Sequence, residues 1–211
     1  ITGRHLLEAR GLERIAFVDW DVHHGNGTEA AFWTENRALT ISIHQDGVFP
    51  PDRGRVSQAG EGEGEGYNIN VPLPAGSGVG AYEAAFDRVI VPSLKAYRPD
   101  MIVVPSGLDA DIFDPMGHQM MTSEGYRSLA AKLMGVAEEV CGGRIIMLHE
   151  GGYSAATVPY IGLAIIEELS GIRTGISDPF LEGAAGYAGQ DLQPHQDAMI
   201  SEAETLVEGL K

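Results

Sequence analysis

Short apolar runs alternate with stretches of helical periodicity along this chain. The apolar runs predict buried strands at residues 15–18, 38–43, 67–71, 101–105 and 144–148. The helical spacing predicts helices at residues 5–10, 28–33, 80–97, about 122–140, 154–169 and about 196–210. Continuous apolar strands that alternate with helices are typical of a parallel sheet flanked by helices. The predicted fold class is therefore α/β.

The N-terminal residues have the pattern of a helix that has already begun. Residues 5–10 have the spacing of a last helical turn, and Gly11 is a typical helix stop. The 211 residues suit one domain with a sizeable core. We therefore expect one partial domain over 1–211 that lacks its N-terminal part.

Composition and charge exclude several classes of protein. The chain has 14 Lys+Arg against 30 Asp+Glu, a formal net charge of −16, which argues against binding to a nucleic-acid backbone. No apolar run approaches the length of a membrane span. The single cysteine, Cys141, excludes an internal disulfide framework and predicts an inert buried thiol. These features favour a cytoplasmic protein that binds neither nucleic acid nor membrane.

Polar residues with chemical potential follow several predicted strands. Asp21 and His23 come after the first strand, Asp109 after the fourth, and Tyr153 after the fifth. Ligands of open α/β sheets bind beyond the carboxyl ends of the strands. One imidazole and two carboxylates leave open positions on a catalytic zinc, so Asp21, His23 and Asp109 predict a metal site. For Tyr153, a core residue with a satisfied hydroxyl stays open as an alternative.

Five sequence blocks resemble the signatures of zinc-dependent histone deacetylases, in the order of that family. They are DWDVHHGNGT at 19–28, SIHQD at 42–46, YNINVPLP at 67–74, SGLDA at 106–110 and EGGY at 150–153. The chain is most similar to bacterial class II histone deacetylase-like amidohydrolases and acetylpolyamine amidohydrolases. The resemblance implies the arginase/deacetylase-like fold and hydrolysis of an acetylated amine, either acetyl-lysine in a protein or an acetylpolyamine.

The resemblance also implies a role for individual residues. Zn²⁺ would be bound by Asp21, His23 and Asp109, and Tyr153 would donate its hydroxyl to the developing oxyanion. The substrate tunnel would be lined by Phe49, Gly151 and Gly152. A structural K⁺ would be held by Asp19, Asp21, His23, Ser42 and Ile43. Many relatives pair, so a homo-oligomer is compatible with the sequence.

One departure from the family leaves two other functions open. The family has a tandem His-His general acid/base pair, in a Gly-His-His-Ala context, upstream of the first block, and this sequence has none. We expect the chain to be the C-terminal part of a longer deacetylase, and its activity alone is therefore open. A catalytically inactive metal-binding or interaction module is one alternative. A two-manganese ureohydrolase-like enzyme is the other, although Gly25 stands where such enzymes need a carboxylate. Asp111 is predicted to lie at the rim of the site.

Overall fold

A five-stranded parallel sheet forms the centre of the computed structural model, which describes residues 1–210. The strands are β1 (Ile15–Asp19), β2 (Ala38–Gln45), β3 (Asn68–Leu73), β4 (Met101–Ser106) and β5 (Ile145–His149). Their order across the sheet is β3-β2-β1-β4-β5. All four pairings are parallel. The predicted α/β class and the parallel sheet are confirmed.

Helices cover both faces of this sheet. They are α1 (Thr2–Ala9), α2 (Asn26–Phe32), α3 (Val79–Ala85), α4 (Val91–Tyr97), α5 (Ser123–Cys141), α6 (Val158–Ser170), α7 (Leu181–Ala185) and α8 (Pro194–Glu204). Among residues 1–210, no helix combines the length and the apolar character needed to cross a bilayer.

The side chains of β1 alternate between two apolar clusters. Ala16 and Val18 belong to the larger core, which also contains buried residues of α3, α4 and α5. Ile15 and Phe17 point to the other face and pack in a smaller cluster with residues of α1 and α2. Successive side chains of a strand alternate between its faces, so β1 is apolar throughout because both faces are covered.

The predicted helix at 80–97 is one helical stretch with a wider turn inside it. A five-residue π-helical segment, Phe86–Ile90, separates α3 from α4. Pro92 is near the start of α4 and has no backbone N–H to donate to the preceding turn. Insertion of a π-turn accommodates this missing bond without ending the helix.

Near the C-terminus the structure differs from the predicted helix at 196–210. Helix α8 begins at Pro194, ends at Glu204, and is followed by a 3₁₀ turn, Val207–Gly209. A proline suits the first turn of a helix, where its missing N–H has no intrahelical partner. The short helix α7 was not predicted, because its five residues are too few to show periodicity.

Strand β5 lies at one edge of the sheet and is less covered than the other strands. Among the described residues it pairs with β4 alone. Ile146 and Leu148 are 36% and 38% exposed, whereas every residue of β1, β2 and β3 is buried. The apolar side chains of β5 therefore line an open side of the molecule.

Candidate metal centre

Three of the predicted ligands meet beyond the carboxyl ends of β1 and β4. These strands are hydrogen-bonded neighbours, with Ile15 opposite Met101. His23 Nδ1 lies 2.9 Å from Asp21 Oδ1 and 3.2 Å from Asp109 Oδ2. One ligand atom from each residue lies within 4.8 Å of the others, which is compact enough to hold one metal ion.

Backbone N–H groups fix the two carboxylates of this cluster. Asp109 Oδ1 accepts a 2.8 Å hydrogen bond from Val22 N, and Asp21 Oδ2 accepts a 3.1 Å bond from Gly151 N. Asp109 is fully buried, and its Oδ2 accepts no well-directed hydrogen bond from residues 1–210. A buried oxygen without a donor is costly unless a ligand satisfies it. The donor set of two carboxylates and an imidazole fits Zn²⁺.

The carboxylates strongly affect the charge of His23. Close contacts with the carboxylates of Asp109 and Asp21 raise the pKa of His23 to about 10, so its ring carries a proton at neutral pH when no metal is bound. Burial, together with the charge of Asp21, raises the pKa of Asp109. The cluster thus favours one positive charge at its centre, and a metal ion would take the place of that proton.

Two glycines allow the backbone to approach these carboxylates. A Cβ added at Gly107 would overlap Asp21 Oδ2, and one added at Gly151 would overlap Asp109 Oδ2 and lie 2.6 Å from Asp21 Oδ2. No side chain fits at either position without moving a predicted ligand. The glycine that follows Gly151 is needed for another reason, because Gly152 adopts φ +132°, a conformation that favours glycine.

An open cavity of about 880 Å³ borders the cluster. It is lined by the predicted residues Asp19, Asp21, His23, Phe49 and Tyr153, together with Met116 and Glu150. The Phe49 ring lies edge-on to the His23 ring, with centroids 6.3 Å apart. Tyr153 is 57% exposed, so the alternative of a core tyrosine is wrong.

The electrostatics of the cavity keep the Tyr153 hydroxyl protonated. Partial burial and the nearby carboxylates of Asp109 and Asp21 raise its pKa above the ordinary value for tyrosine. The pKa of Glu150 is also raised, by burial and by the same two carboxylates. A group that enters the cavity therefore meets a phenol that can donate a hydrogen bond.

The residues predicted to hold potassium lie at the ends of β1 and β2. Asp19 is opposite Ser42 in the register of these strands, and Ile43 follows in β2. Asp19 is buried, which raises the pKa of its carboxyl well above the usual range, and its Oδ1 accepts a hydrogen bond from Asp21 N. The grouping is compatible with a cation site, and the role of these residues stays a prediction.

The structure corrects the prediction for Asp111. The sequence places it at the rim, yet it is 3% exposed, and its Oδ2 accepts a hydrogen bond from the Thr157 hydroxyl. The loop after Asp109 turns inward because Met121 N donates to Ala110 O. Burial raises the pKa of Asp111 to about 6.

Sequence reasoning missed two further features of the site. Asp114 was not predicted to take part in the site, yet its carboxylate accepts hydrogen bonds from the backbone of Tyr153 and Ser154. Glu150 was not singled out, although it lines the cavity. The Asp-Pro pair was the available signal for Asp114, but its partners are 39 and 40 residues away and no local pattern identifies them.

Comparison with known proteins identifies similar sequences and structures. The sequence model of the histone deacetylase domain matches residues 1–169. The chain is 48% identical over 169 residues to a histone deacetylase-like amidohydrolase of Pseudomonas aeruginosa, covering 80% of this chain and 44% of that protein. It is 40% identical over 178 residues to histone deacetylase 8 of Arabidopsis thaliana, covering 82% of this chain and 47% of that protein.

A solved structure is similar to this chain as well. The structure of the histone deacetylase Clr3 superposes with a TM-score of 0.85 at 30% identity, and the match covers 100% of this chain and 34% of that one. The chain thus spans less than half the length of these relatives.

Proposed function

Because this chain belongs to the histone deacetylase family, we propose that residues 1–211 are part of the catalytic domain of a zinc-dependent amidohydrolase. Its substrate is an acetylated amine, either acetyl-lysine in a protein or an acetylpolyamine. The observation that carries the proposal is the cluster of Asp21, His23 and Asp109 beside an open cavity that also contains Tyr153. When bound there, zinc supplies Lewis acidity at the acyl carbonyl and acidifies water.

The residues around the cluster have separate tasks in this proposal. Tyr153 donates its hydroxyl to the oxygen of the acetyl group as negative charge develops there, an interaction that strengthens in the transition state. Phe49 forms a wall of the substrate tunnel, and its ring position beside His23 supports this role. Gly151 and Gly152 complete the tunnel in this proposal, and the lack of a side chain at Gly151 keeps the space beside Asp109 and Asp21 open.

A structural potassium ion belongs to the proposal as well. Asp19, Asp21, His23, Ser42 and Ile43 would hold it with side-chain and backbone oxygens. The register of β1 and β2 supports this set, because it places Asp19 beside Ser42. Such an ion would offset the negative charge that Asp19, Asp21 and Asp109 concentrate at this end of the sheet.

The packing around Gly25 disfavours the two-manganese alternative. That chemistry needs a carboxylate at this position, but a Cβ added at Gly25 would overlap Asp19 Oδ2. A carboxylate side chain could not be placed there without moving Asp19. One zinc ion per chain, in addition to the structural potassium ion, is therefore the stoichiometry that we propose.

Replacement of Tyr153 by phenylalanine tests the proposed reaction. Hydrolysis of an acetyl-lysine peptide and of an acetylpolyamine is measured for the zinc-loaded chain and for the full product of its gene. Loss of the hydroxyl should lower kcat by about 10²- to 10³-fold in whichever protein is active, because one oxyanion donor is removed. The zinc affinity should stay unchanged.

Tyr187→Phe is the matched control, because Tyr187 is 55% exposed and does not line the cavity. This variant should keep full activity. Zinc binding with no turnover in either protein would contradict the enzyme proposal and favour the inactive metal-binding module.

A further inference from the structure

The segment that carries Tyr153 is held differently on its two sides. On the N-terminal side, Glu150 N donates to Ser106 O, and Leu108 N donates to Gly151 O. These bonds continue the pairing of β4 and β5 into the loop. From Gly152 onward the backbone leaves the sheet, and helix α6 does not begin until Val158.

Asp114 supplies a long-range attachment of this second part, at Tyr153 itself. Its Oδ2 lies 2.6 Å from Tyr153 N and 3.2 Å from Ser154 N, so one carboxylate oxygen accepts two consecutive backbone hydrogen bonds. The other oxygen, Oδ1, accepts a 2.8 Å bond from Met116 N. Asp114 is 7% exposed, and hydrogen bonds to a buried charged acceptor are strong ones.

The loop that contains Asp114 also contains a predicted metal ligand. Asp109 begins the same loop, and Asp114 N donates to Asp111 O within it. The side chain of Asp111 in turn accepts a bond from Thr157, at the start of α6. One loop therefore carries a predicted ligand at its beginning and holds the tyrosine segment further along.

Tyr153 depends on this backbone attachment for its position. Its side chain is 57% exposed, and the hydrogen bond described for this residue starts from its backbone N–H. An exposed phenol gains little order from packing, so the direction of its Cα–Cβ bond determines where the hydroxyl can reach. That direction is set by the backbone that Asp114 holds.

We propose that Asp114 is a positioning residue, which places the Tyr153 hydroxyl over the metal centre by binding the backbone of Tyr153 and Ser154. This inference rests on the proposed deacetylase function. Asp114 touches neither the substrate nor the metal in this role. It acts through Tyr153, and its effect should vanish when the tyrosine hydroxyl is absent.

The experiment compares Asp114→Asn with a control that has the same bonding geometry. Asp100 Oδ2 also accepts two consecutive backbone bonds, from Glu13 N at 2.8 Å and Arg14 N at 3.0 Å. Those bonds lie at the opposite end of the sheet, before the first residues of β1 and β4. In Asp114→Asn the new side-chain amide would turn its NH₂ group toward a backbone N–H, because its single oxygen cannot serve both sides.

In an active preparation, Asp114→Asn should lower kcat by about 10- to 100-fold, the cost expected when a catalytic group is misplaced by about 1 Å. KM should change by less than about three-fold, and zinc affinity should not change. Asp100→Asn should leave all three unchanged. On a Tyr153→Phe background, Asp114→Asn should cause no further loss of kcat, because the two residues act as one unit.

A readout without turnover separates this inference from the proposed function. Amide hydrogen exchange of residues 150–157 should be faster in Asp114→Asn than in the wild type, and unchanged in Asp100→Asn. Normal kcat in Asp114→Asn, or an equal loss of kcat with and without the Tyr153 hydroxyl, would overturn the inference alone. A wild-type protein without turnover would overturn the proposed function, and the role of Asp114 in catalysis would fall with it even if the exchange data showed the attachment.

Discussion

Two pairs of buried aspartates at this end of the sheet differ in the hydrogen-bond donors that face their carboxylate oxygens. The outer pair, Asp111 and Asp114, accepts hydrogen bonds from a threonine hydroxyl and from backbone N–H groups of this chain. The inner pair, Asp21 and Asp109, faces His23, and Asp109 Oδ2 has no well-directed donor in residues 1–210. Asp109 and Asp111 are 0% and 3% exposed, so burial does not distinguish the pairs.

The difference between the two pairs indicates which buried carboxylates are available to a ligand. Burial raises the pKa of both Asp109 and Asp111. The donors of Asp111 belong to the fold and stay in place. The partner of Asp109 is a histidine that can exchange its proton for a metal ion. The unsatisfied carboxylate beside a histidine is therefore the one that we predict to bind a ligand, and the satisfied ones are structural attachments.

Matched substitutions in the two pairs give the largest expected contrast. Asp109→Asn should lower the zinc affinity by about 100-fold or more, because removing a ligand costs more than the 10- to 100-fold typical of its supporting residues. Asp111→Asn should leave the affinity almost unchanged. Titration against a competing chelator measures both. Equal affinities for the two variants would contradict the distinction between the pairs.

A methyl group beside the inner pair tests how tightly it is packed. Gly151→Ala would push a Cβ into Asp109 Oδ2 and toward Asp21 Oδ2, so the zinc affinity should fall by about 10- to 100-fold. Gly135→Ala in α5 is the control, because a Cβ there meets no atom within 4 Å. That change should instead stabilise the fold by about 0.5–1 kcal/mol in thermal unfolding. Unchanged zinc affinity in Gly151→Ala would contradict this prediction, because it would show that the two carboxylates can move to accommodate the methyl group.

The smallest expected effect is a pH dependence of stability that originates from Asp111. Its pKa is about 6 in the folded protein, above the value of about 4 in an unfolded chain. The folded state therefore holds more protons between these values, and the free energy of unfolding should fall as the pH rises from 4 to 6. Denaturant unfolding should show this fall reduced by about 2 kcal/mol in Asp111→Asn. An identical pH dependence in both proteins would contradict the assignment.

The order of elements and the cluster of ligands could be predicted because local patterns carry them. Continuous apolar runs at β1, β2 and β4 identified buried parallel strands, and parallel strands bring their carboxyl ends to one edge. Asp21, His23 and Asp109 follow those ends and are brought together. Their role as zinc ligands stays a prediction for the experiments above.

The features that sequence reasoning missed depend on contacts between distant segments. The bond of Asp114 to Tyr153 joins residues 39 apart, and Thr157 reaches Asp111 across 46 residues. Nothing local distinguishes such a buried aspartate from one at the rim. The π-segment at Phe86–Ile90 escaped for a different reason, because its residues keep the apolar spacing of an ordinary helix and only Pro92 indicates the irregularity.

The pairing of β1 with β4 has a consequence for the time course of folding. It brings Val22 and Asp109, which are 87 residues apart in the sequence, within hydrogen-bonding distance. Contacts of such separation form late and slowly, because a long loop must close before they contribute free energy. The inner pair of aspartates cannot assemble until this closure is complete. The time at which zinc binds during refolding would therefore report when β1 and β4 pair.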